Sequence, residues 1–187
     1  MEKIRTFIAV ELPGDIRGEL SALRRELDSP GLAAKWVSPH NIHLTLKFLG
    51  SVERSKIAEM ETLLKESLRE EKEFKFELSG LGAFPSASRP RVLWVGISEG
   101  KEELRRIARK IEHVLEKMGF PKEERGFSAH VTLARVKSEG RKGELGEKLE
   151  RAHYTSHPIV VSRIAIMKSD LTPEGPVYTR LGEIRLS

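Results

Sequence analysis

Cysteine is absent from this chain. That excludes disulfides, cysteine-based zinc sites and thiol nucleophiles, and leaves any chemistry to His, Thr, Ser, carboxylates, Lys or Arg. No run approaches the roughly 18 consecutive apolar residues that a membrane-spanning helix needs, and no apolar signal-peptide core precedes the first strand-like segment. A cytoplasmic location with no membrane association is therefore expected. Aromatic residues are scarce, at 6%, so the core claims most of them. Charge is plentiful: 33 basic against 28 acidic residues give a net charge of +5, with a pI near 9.5. The excess tilts encounters toward polyanions such as nucleic acid, although many basic proteins bind none. A length of 187 residues suits a single folded unit spanning 1–187, with one core or two closely packed lobes.

Apolar periodicity divides the chain into strands and helices. The run Thr6–Leu12, closed by Pro13-Gly14, reads as a buried strand. Ile16, Leu20, Leu23 and Leu27 mark one face of a helix that ends before Pro30-Gly31. A strand over Asn41–Gly50 follows, then a helix capped by Ser55 that buries Ile57, Met60, Leu64 and Leu68. Phe74, Phe76 and Leu78 alternate with polar residues as in a half-exposed strand. Phe84–Arg91, with two prolines and three serines or alanines between them, is the most loop-like stretch and divides the sequence near its middle. Beyond it come a buried strand at Val92–Ile97 and an amphipathic helix carrying Leu104, Ile107, Ile111, Val114, Leu115 and Met118, stopped by Gly119 and Pro121. A strand over Ala129–Val136, a short helix near Gly143–Arg151, and strands near Ile159–Met167 and Val177–Leu186 complete an α+β pattern.

An internal repeat carries the chemistry. Residues 42–49, Ile-His-Leu-Thr-Leu-Lys-Phe-Leu, align without gaps on residues 129–136, Ala-His-Val-Thr-Leu-Ala-Arg-Val. Each copy lies downstream of an apolar strand and an amphipathic helix, so the two halves of the chain look related. Side chains at i and i+2 of a strand share a face. His43 and Thr45 therefore project together, as do His130 and Thr132, with aliphatic residues on the reverse. Two halves packed about a pseudo-twofold axis would face these pairs across a cleft. A lone His-x-Thr is more often a buried structural histidine, but two copies in matching contexts favour a site.

Such a site suits in-line opening of a cyclic phosphodiester. One group must deprotonate the attacking water and another must protonate the departing ribose oxygen, and histidine can do either near neutral pH. The near-symmetry of the motifs leaves open which histidine is acid and which is base. Thr45 and Thr132 are placed to donate hydrogen bonds to non-bridging phosphate oxygens. Lys47 and Arg135 are candidates to add positive charge there. A strained five-membered cyclic phosphate needs less electrophilic help than a linear diester, so neither a metal nor any other cofactor is expected.

At these motifs the sequence resembles the RNA 2',3'-cyclic phosphodiesterase family, also called 2'-5' RNA ligase, of the two-histidine (2H) phosphoesterase superfamily. The resemblance runs through Arg5-Thr-Phe-Ile-Ala-Val10, Trp36-Val37, Asn41–Gly50, Gly82-Ala-Phe-Pro85, Pro90–Gly96, Phe127–Arg135, and a tail with Ser169, Gly175 and Tyr178. It implies a bilobal α+β fold in which two pseudo-twofold-related lobes set antiparallel sheets toward a central cleft, with helices outside. It further implies hydrolysis of terminal 2',3'-cyclic phosphates to 2'-phosphates, and in some members ATP-independent 2'-5' joining. Under the resemblance His43 is the proton donor and His130 the acceptor. Lys47, Arg135, Phe48 and Tyr178 are the substrate-binding candidates. The partners implied are RNA ends carrying 2',3'-cyclic phosphate, such as tRNA fragments, met by a monomer. Many relatives have proline before the second histidine where this chain has Ala129, a change that relaxes the backbone without removing a reacting group.

Other residues carry weaker signals. His40 and His43, or His153 and His157, have spacings open to a zinc reading, but no acidic or cysteine cluster accompanies them; His40, His113, His153 and His157 read as surface or structural. Arg89, Arg91, Lys137, Arg141 and Lys142 read equally as guides for an RNA backbone or as solvated loop charges. Trp36, Phe48 and Phe127 lie close enough to the motifs to stack on a base, with core packing the competing role. Two alternatives stay open on sequence: the same site acting on a small cyclic phosphate or a 2'-5' oligonucleotide, or a catalytically silent RNA-binding module.

Overall fold

The computed structural model describes residues 2–187. In chain order, strand β1 (Lys3–Glu11) leads into helices α1 (Gly14–Ala22) and α2 (Arg24–Leu27), strand β2 (Ala33–Trp36), a 3-10 turn at Pro39–Asn41, strand β3 (His43–Glu53) and helix α3 (Lys56–Leu68). Next come β4 (Phe74–Phe76), β5 (Leu78–Ser86), β6 (Arg89–Ile97), helix α4 (Lys101–Lys117) and β7 (Val131–Ser138). Helix α5 (Glu144–Arg151), β8 (Ile159–Val161), β9 (Arg163–Thr172) and β10 (Gly175–Arg185) close the chain. No described helix is long and apolar enough to cross a membrane.

Eight antiparallel strands form one sheet in the order β10-β9-β1-β3-β7-β6-β5, with β2 pairing on β7; β4 and β8 form a separate pair. The first lobe is β10-β9-β1-β3 and the second is β7-β6-β5 with β2. They join through a single register pair, Leu44 with Val131. The two sheets expected around a cleft are thus one sheet, thinned at its middle to one rung.

The lobes repeat each other in register. In the first, Val10, Ala9, Ile8 and Phe7 pair with Leu44, Thr45, Lys47 and Phe48, skipping Leu46. In the second, Val95, Trp94, Leu93 and Val92 pair with Val131, Thr132, Ala134 and Arg135, skipping Leu133. Each His-x-Thr motif is therefore followed by a β-bulge at the same position. A bulge puts one extra residue on one strand and reverses the alternation beyond it.

One face of the sheet is closed by helices. Ile8, Val10, Leu44, Leu93, Val95 and Val131 pack there with Met60 and Leu64 of α3 and Leu104, Ile107 and Ile111 of α4, all buried. Helix α4 follows the periodicity read from sequence, burying Leu104, Ile107, Ala108, Ile111 and Leu115, and Gly119 in the left-handed region (φ 88°) lies just beyond it. On the other face of the first lobe a smaller cluster of Phe7, Ala9, Ala165 and Met167 supports Tyr178. That second face holds the motifs.

Several local expectations change. The Phe84–Arg91 loop is a β-hairpin in which β5 and β6 pair down to Ser86 and Arg89 around a turn at Ala87-Ser88. Its prolines pair with each other near the hairpin's tip, with Pro85 on the sheet's edge strand, where a missing N–H interrupts no ladder. Ser55 stands before α3 with helical backbone angles and no side-chain capping bond. The first helix breaks between α1 and α2 at Leu23. The strand read through Phe74–Leu78 divides into β4 and β5, and Ile159–Met167 is divided between β8 and β9.

Candidate active site

Partners in an antiparallel ladder share a face, and Leu44 and Val131 both point into the core. Continuing that register one residue each way sets His43 opposite Thr132 and Thr45 opposite His130, all on the cleft face. The histidines are then diagonal neighbours, a relationship that in an antiparallel pair separates Cβ atoms by roughly 7–8 Å. One phosphate group fills such a gap.

Both imidazoles are pinned in the same way. His43 Nδ1 lies 2.7 Å from the Asn41 carbonyl oxygen, and His130 Nδ1 lies 2.7 Å from the Ser128 carbonyl oxygen. A carbonyl only accepts, so Nδ1 donates in each ring and Nε2 is the nitrogen left to exchange a proton. Asn41 is buried and its Nδ2 donates to Pro176 O at 2.7 Å, which ties the turn before β3 to β10. His43 Nε2 is 2.8 Å from Thr45 Oγ1, which donates to it when the ring is neutral.

The two surroundings differ. Phe7 lies against His43 with ring centroids 4.8 Å apart, and Tyr178 meets it edge-on at 5.4 Å. Burial pulls the His43 pKa below its ordinary value, opposed by the bond to the Asn41 carbonyl and by the charge of Glu11. Glu11 pairs with His43 across β1 and β3, and its carboxylate lies 2.7 Å from Arg180. The corresponding place in the second lobe is Gly96, next after Val95, so His130 has no such carboxylate. Phe84 meets His130 edge-on at 5.1 Å.

The bulges decide which other residues reach the cleft. Phe48 and Arg135 occupy matching positions on its face, and Phe48 is 56% exposed. Lys47, expected beside the phosphate, turns to the opposite face with its partner Ile8. Its Nζ donates to Glu112 of α4 at 3.0 Å and to Pro121 O at 2.7 Å, and it is 4% exposed. The bulge at Leu46 removes it from the site. Tyr178 is in the cleft, and burial raises its pKa against the fields of Arg135 and Arg5, which places both guanidiniums near its hydroxyl. Arg5 lies two residues before Phe7 on the same face of β1, and Lys35 of β2 pairs with Arg135. Among the described residues, none of Arg5, Lys35 and Arg135 is in an ion pair. Lys35 and Arg5 were missed in the sequence because each stands far from either motif in the chain.

The remaining candidates lie elsewhere. Trp36 packs against the core with Arg24 over its ring, and His157 pairs with Asp15 at 3.0 Å. Arg89, Arg91, Lys137 and Lys142 surround a separate surface hollow of about 290 Å³. Among the described residues no group of three or more His, Asp or Glu could hold a metal ion. Two larger hollows flank the seam. One of about 590 Å³ lies beside His43, with Glu11, Arg17, Arg163, Tyr178 and Arg180 in its wall, and another of about 420 Å³ lies beside His130.

Two pseudo-symmetric halves, each bringing one His/Thr pair to a shared cleft, define a two-histidine phosphoesterase. The profile of the family described as LigT like Phosphoesterase matches twice, over residues 10–94 and 95–178, so each match contains one pair. An RNA 2',3'-cyclic phosphodiesterase of Aquifex aeolicus is 35% identical over 100% of this chain and 99% of its own length. One of Aeropyrum pernix is 41% identical over 90% and 95%. Among solved structures, TT0787 of Thermus thermophilus superposes with a TM-score of 0.81 at 29% identity, covering 98% of each chain. Escherichia coli LigT in complex with 3'-AMP gives 0.78 at 26%, covering 100% of this chain and 99% of its own. The chain belongs to the LigT-like phosphoesterase family.

Proposed function

We propose that this chain hydrolyses the 2',3'-cyclic phosphate at the end of an RNA to a 2'-phosphate, with His43 as proton donor and His130 as proton acceptor. The observation that carries this reading is the pair of imidazoles with Nδ1 fixed to backbone carbonyls, facing one another across the Leu44–Val131 seam. Its RNA specificity draws on the activity named for the Aquifex and Aeropyrum relatives.

Water attacks phosphorus in line with O3' and gives its proton to His130 Nε2. The P–O3' bond breaks as His43 Nε2–H protonates O3', and phosphorus stays on O2'. The asymmetry of the site favours this order. His43 has Glu11 opposite it, a charge that holds a proton on the ring against the effect of burial, whereas His130 has glycine in that place. An anionic phosphate entering the cleft adds a second favourable charge. The Thr45 and Thr132 hydroxyls meet the non-bridging oxygens, and Arg135, Phe48 and Tyr178 receive the terminal nucleotide and its flanking phosphate. No step calls for a metal.

The proposal extends to the setting. The whole chain acts as one catalytic unit and as a monomer, in the cytoplasm, on RNA ends such as tRNA fragments. The test is incubation of an oligonucleotide ending in 2',3'-cyclic phosphate, with and without chelator, followed by identification of the product isomer. A 2'-phosphate formed at the same rate in both is expected. A 3'-phosphate would overturn the leaving-group assignment, and loss of activity with chelator would overturn the metal-free route.

A further inference from the structure

The hollow beside His130 has the composition of a nucleoside site. Its wall includes Phe84, Trp94 and Phe127 with Lys101 and Arg105, and no described carboxylate lines it. Trp94 pairs with Thr132, so its indole lies on the cleft face next to the second motif. It lies flat because the sheet is cut away beneath it. Gly82, its partner on β5, could not carry a Cβ without running into the indole, and a Cβ on Gly96 would stand 3.3 Å from its Cζ3. Phe84 stacks beside it with centroids 5.2 Å apart and in turn touches the His130 ring. The indole Nε1–H is buried without a partner. The matching positions in the first lobe are Ala9, opposite Thr45, and Ala165, opposite Ala9. The large platform is therefore particular to the His130 side.

Hydrolysis needs one nucleoside, and the aromatic surface around His43, formed by Phe7, Phe48 and Tyr178, already offers it a place on the leaving-group side. We infer that Trp94, seated on Gly82 and Gly96, is the stacking platform of a second subsite, one that holds a nucleoside whose 5'-hydroxyl replaces water as the attacking group. The inference rests on the hydrolytic reading above and adds to it a site for the second strand. The 5'-hydroxyl forms a bond to phosphorus while the P–O3' bond breaks; its proton goes to His130 Nε2, and the proton on His43 Nε2 goes to O3'. The product is a 2'-5' diester, and atoms and charge balance without a further reactant. Lys101 and Arg105, at the start of α4, meet the phosphates of the incoming strand.

The test measures partition. An oligonucleotide ending in 2',3'-cyclic phosphate is offered together with a 5'-hydroxyl oligonucleotide, and the ratio of joined to hydrolysed product is read. Trp94→Leu and, independently, Gly82→Ala, whose new Cβ displaces the indole, are expected to lower that ratio roughly tenfold or more, as loss of one stacked base does. A ratio unchanged in both variants, or no joined product from the wild-type chain at saturating acceptor, overturns the inference. Binding gives a separate readout, because the chain has two tryptophans. In a Trp36→Phe background the remaining fluorescence belongs to Trp94, and the 5'-hydroxyl oligonucleotide is expected to quench it. Absence of quenching overturns the subsite. Quenching by a wild-type-like chain that hydrolyses no cyclic phosphate would instead sink the hydrolytic reading and leave the subsite standing.

Discussion

Leu44 and Val131 form the one register pair that joins the two lobes, and both histidines stand beside it. A pseudo-twofold axis through that pair exchanges His43 with His130 and Thr45 with Thr132. The lobes diverge on either side of the rung, which opens a cleft without exposing the core, because the two aliphatic residues at the axis are fully buried. The proton-transfer geometry is thus a consequence of the fold's symmetry.

Replacement of either histidine by alanine should lower kcat on a 2',3'-cyclic mononucleotide about 10²–10⁴-fold. The double variant should fall little below the worse single one, because two groups serving one transition state are not additive. Thr45→Val and Thr132→Val should each cost about 10²-fold, the scale of a lost donor to a developing oxyanion. Steady-state kinetics on purified, folded variants decides, and a His130→Ala chain as active as wild type would remove it from the mechanism.

Glu11→Gln should move the pH profile. His43 must carry a proton to act as donor, so activity falls as pH rises through the pKa of the protonated form. Burial lowers that pKa and the Glu11 charge opposes the lowering. Neutralising Glu11 also frees the charge of Arg180 beside it, so both effects disfavour imidazolium. The alkaline limb of kcat/KM should shift to lower pH, with the limbs read as those of the coupled pair. A limb that stays in place or moves upward would show that Glu11 does not tune the donor.

How much of this was legible in the chain turns on one local device. Strand alternation correctly sets His43 with Thr45 and His130 with Thr132, because the motif is regular over those three residues. It fails one residue later, where each lobe carries a bulge and no local residue type announces it. The repeat itself held the clue: Lys47 aligns with Ala134, and alanine at the matching place fits a buried position, while Phe48 aligns with Arg135 on the exposed one. The hairpin over Phe84–Arg91 was hidden for a related reason. Two prolines read as breakers when local sequence is considered alone, but they pair with each other near the hairpin's tip. Trp94 as a platform was illegible because it depends on glycines contributed from β5 and from two residues further along β6.

Substrate capture should depend on salt through Arg5, Lys35 and Arg135. Lys35 and Arg135 are directly opposed like charges, an arrangement that destabilises a bare sheet and that a phosphate relieves. For an oligonucleotide with several phosphates, log kcat/KM should fall linearly with log salt, and Lys35→Gln or Arg135→Gln should reduce the slope by about 1 each. A mononucleotide substrate should show a smaller change with Lys35→Gln. An unchanged slope in both variants would remove these cations from the RNA path.

Lys47→Met should lower stability while sparing the chemistry. The ammonium is nearly inaccessible, held by Glu112 and the Pro121 carbonyl, and the methionine stem can follow the lysine's apolar path. Loss of one partner in a fully buried pair costs about 3–5 kcal/mol. Glu112 keeps a quarter of its side chain in solvent, so about 2 kcal/mol is expected here, or about 4–8 °C in Tm for a chain of this size. The pH dependence has a definite sign. The Glu123 backbone N–H first, and Lys47 after it, hold the Glu112 carboxyl below its ordinary 4.5. A depressed carboxyl pKa contributes stability that is present above the unfolded value and lost as pH falls through the folded one. The gap between wild type and Lys47→Met should therefore narrow as pH drops below about 4.5. Thermal melts across that range check it, alongside kcat/KM on cyclic mononucleotide at pH 7. Lower kcat/KM with an unchanged Tm would mean that Lys47 reaches the phosphate after all, and that the bulge does not govern which face it serves.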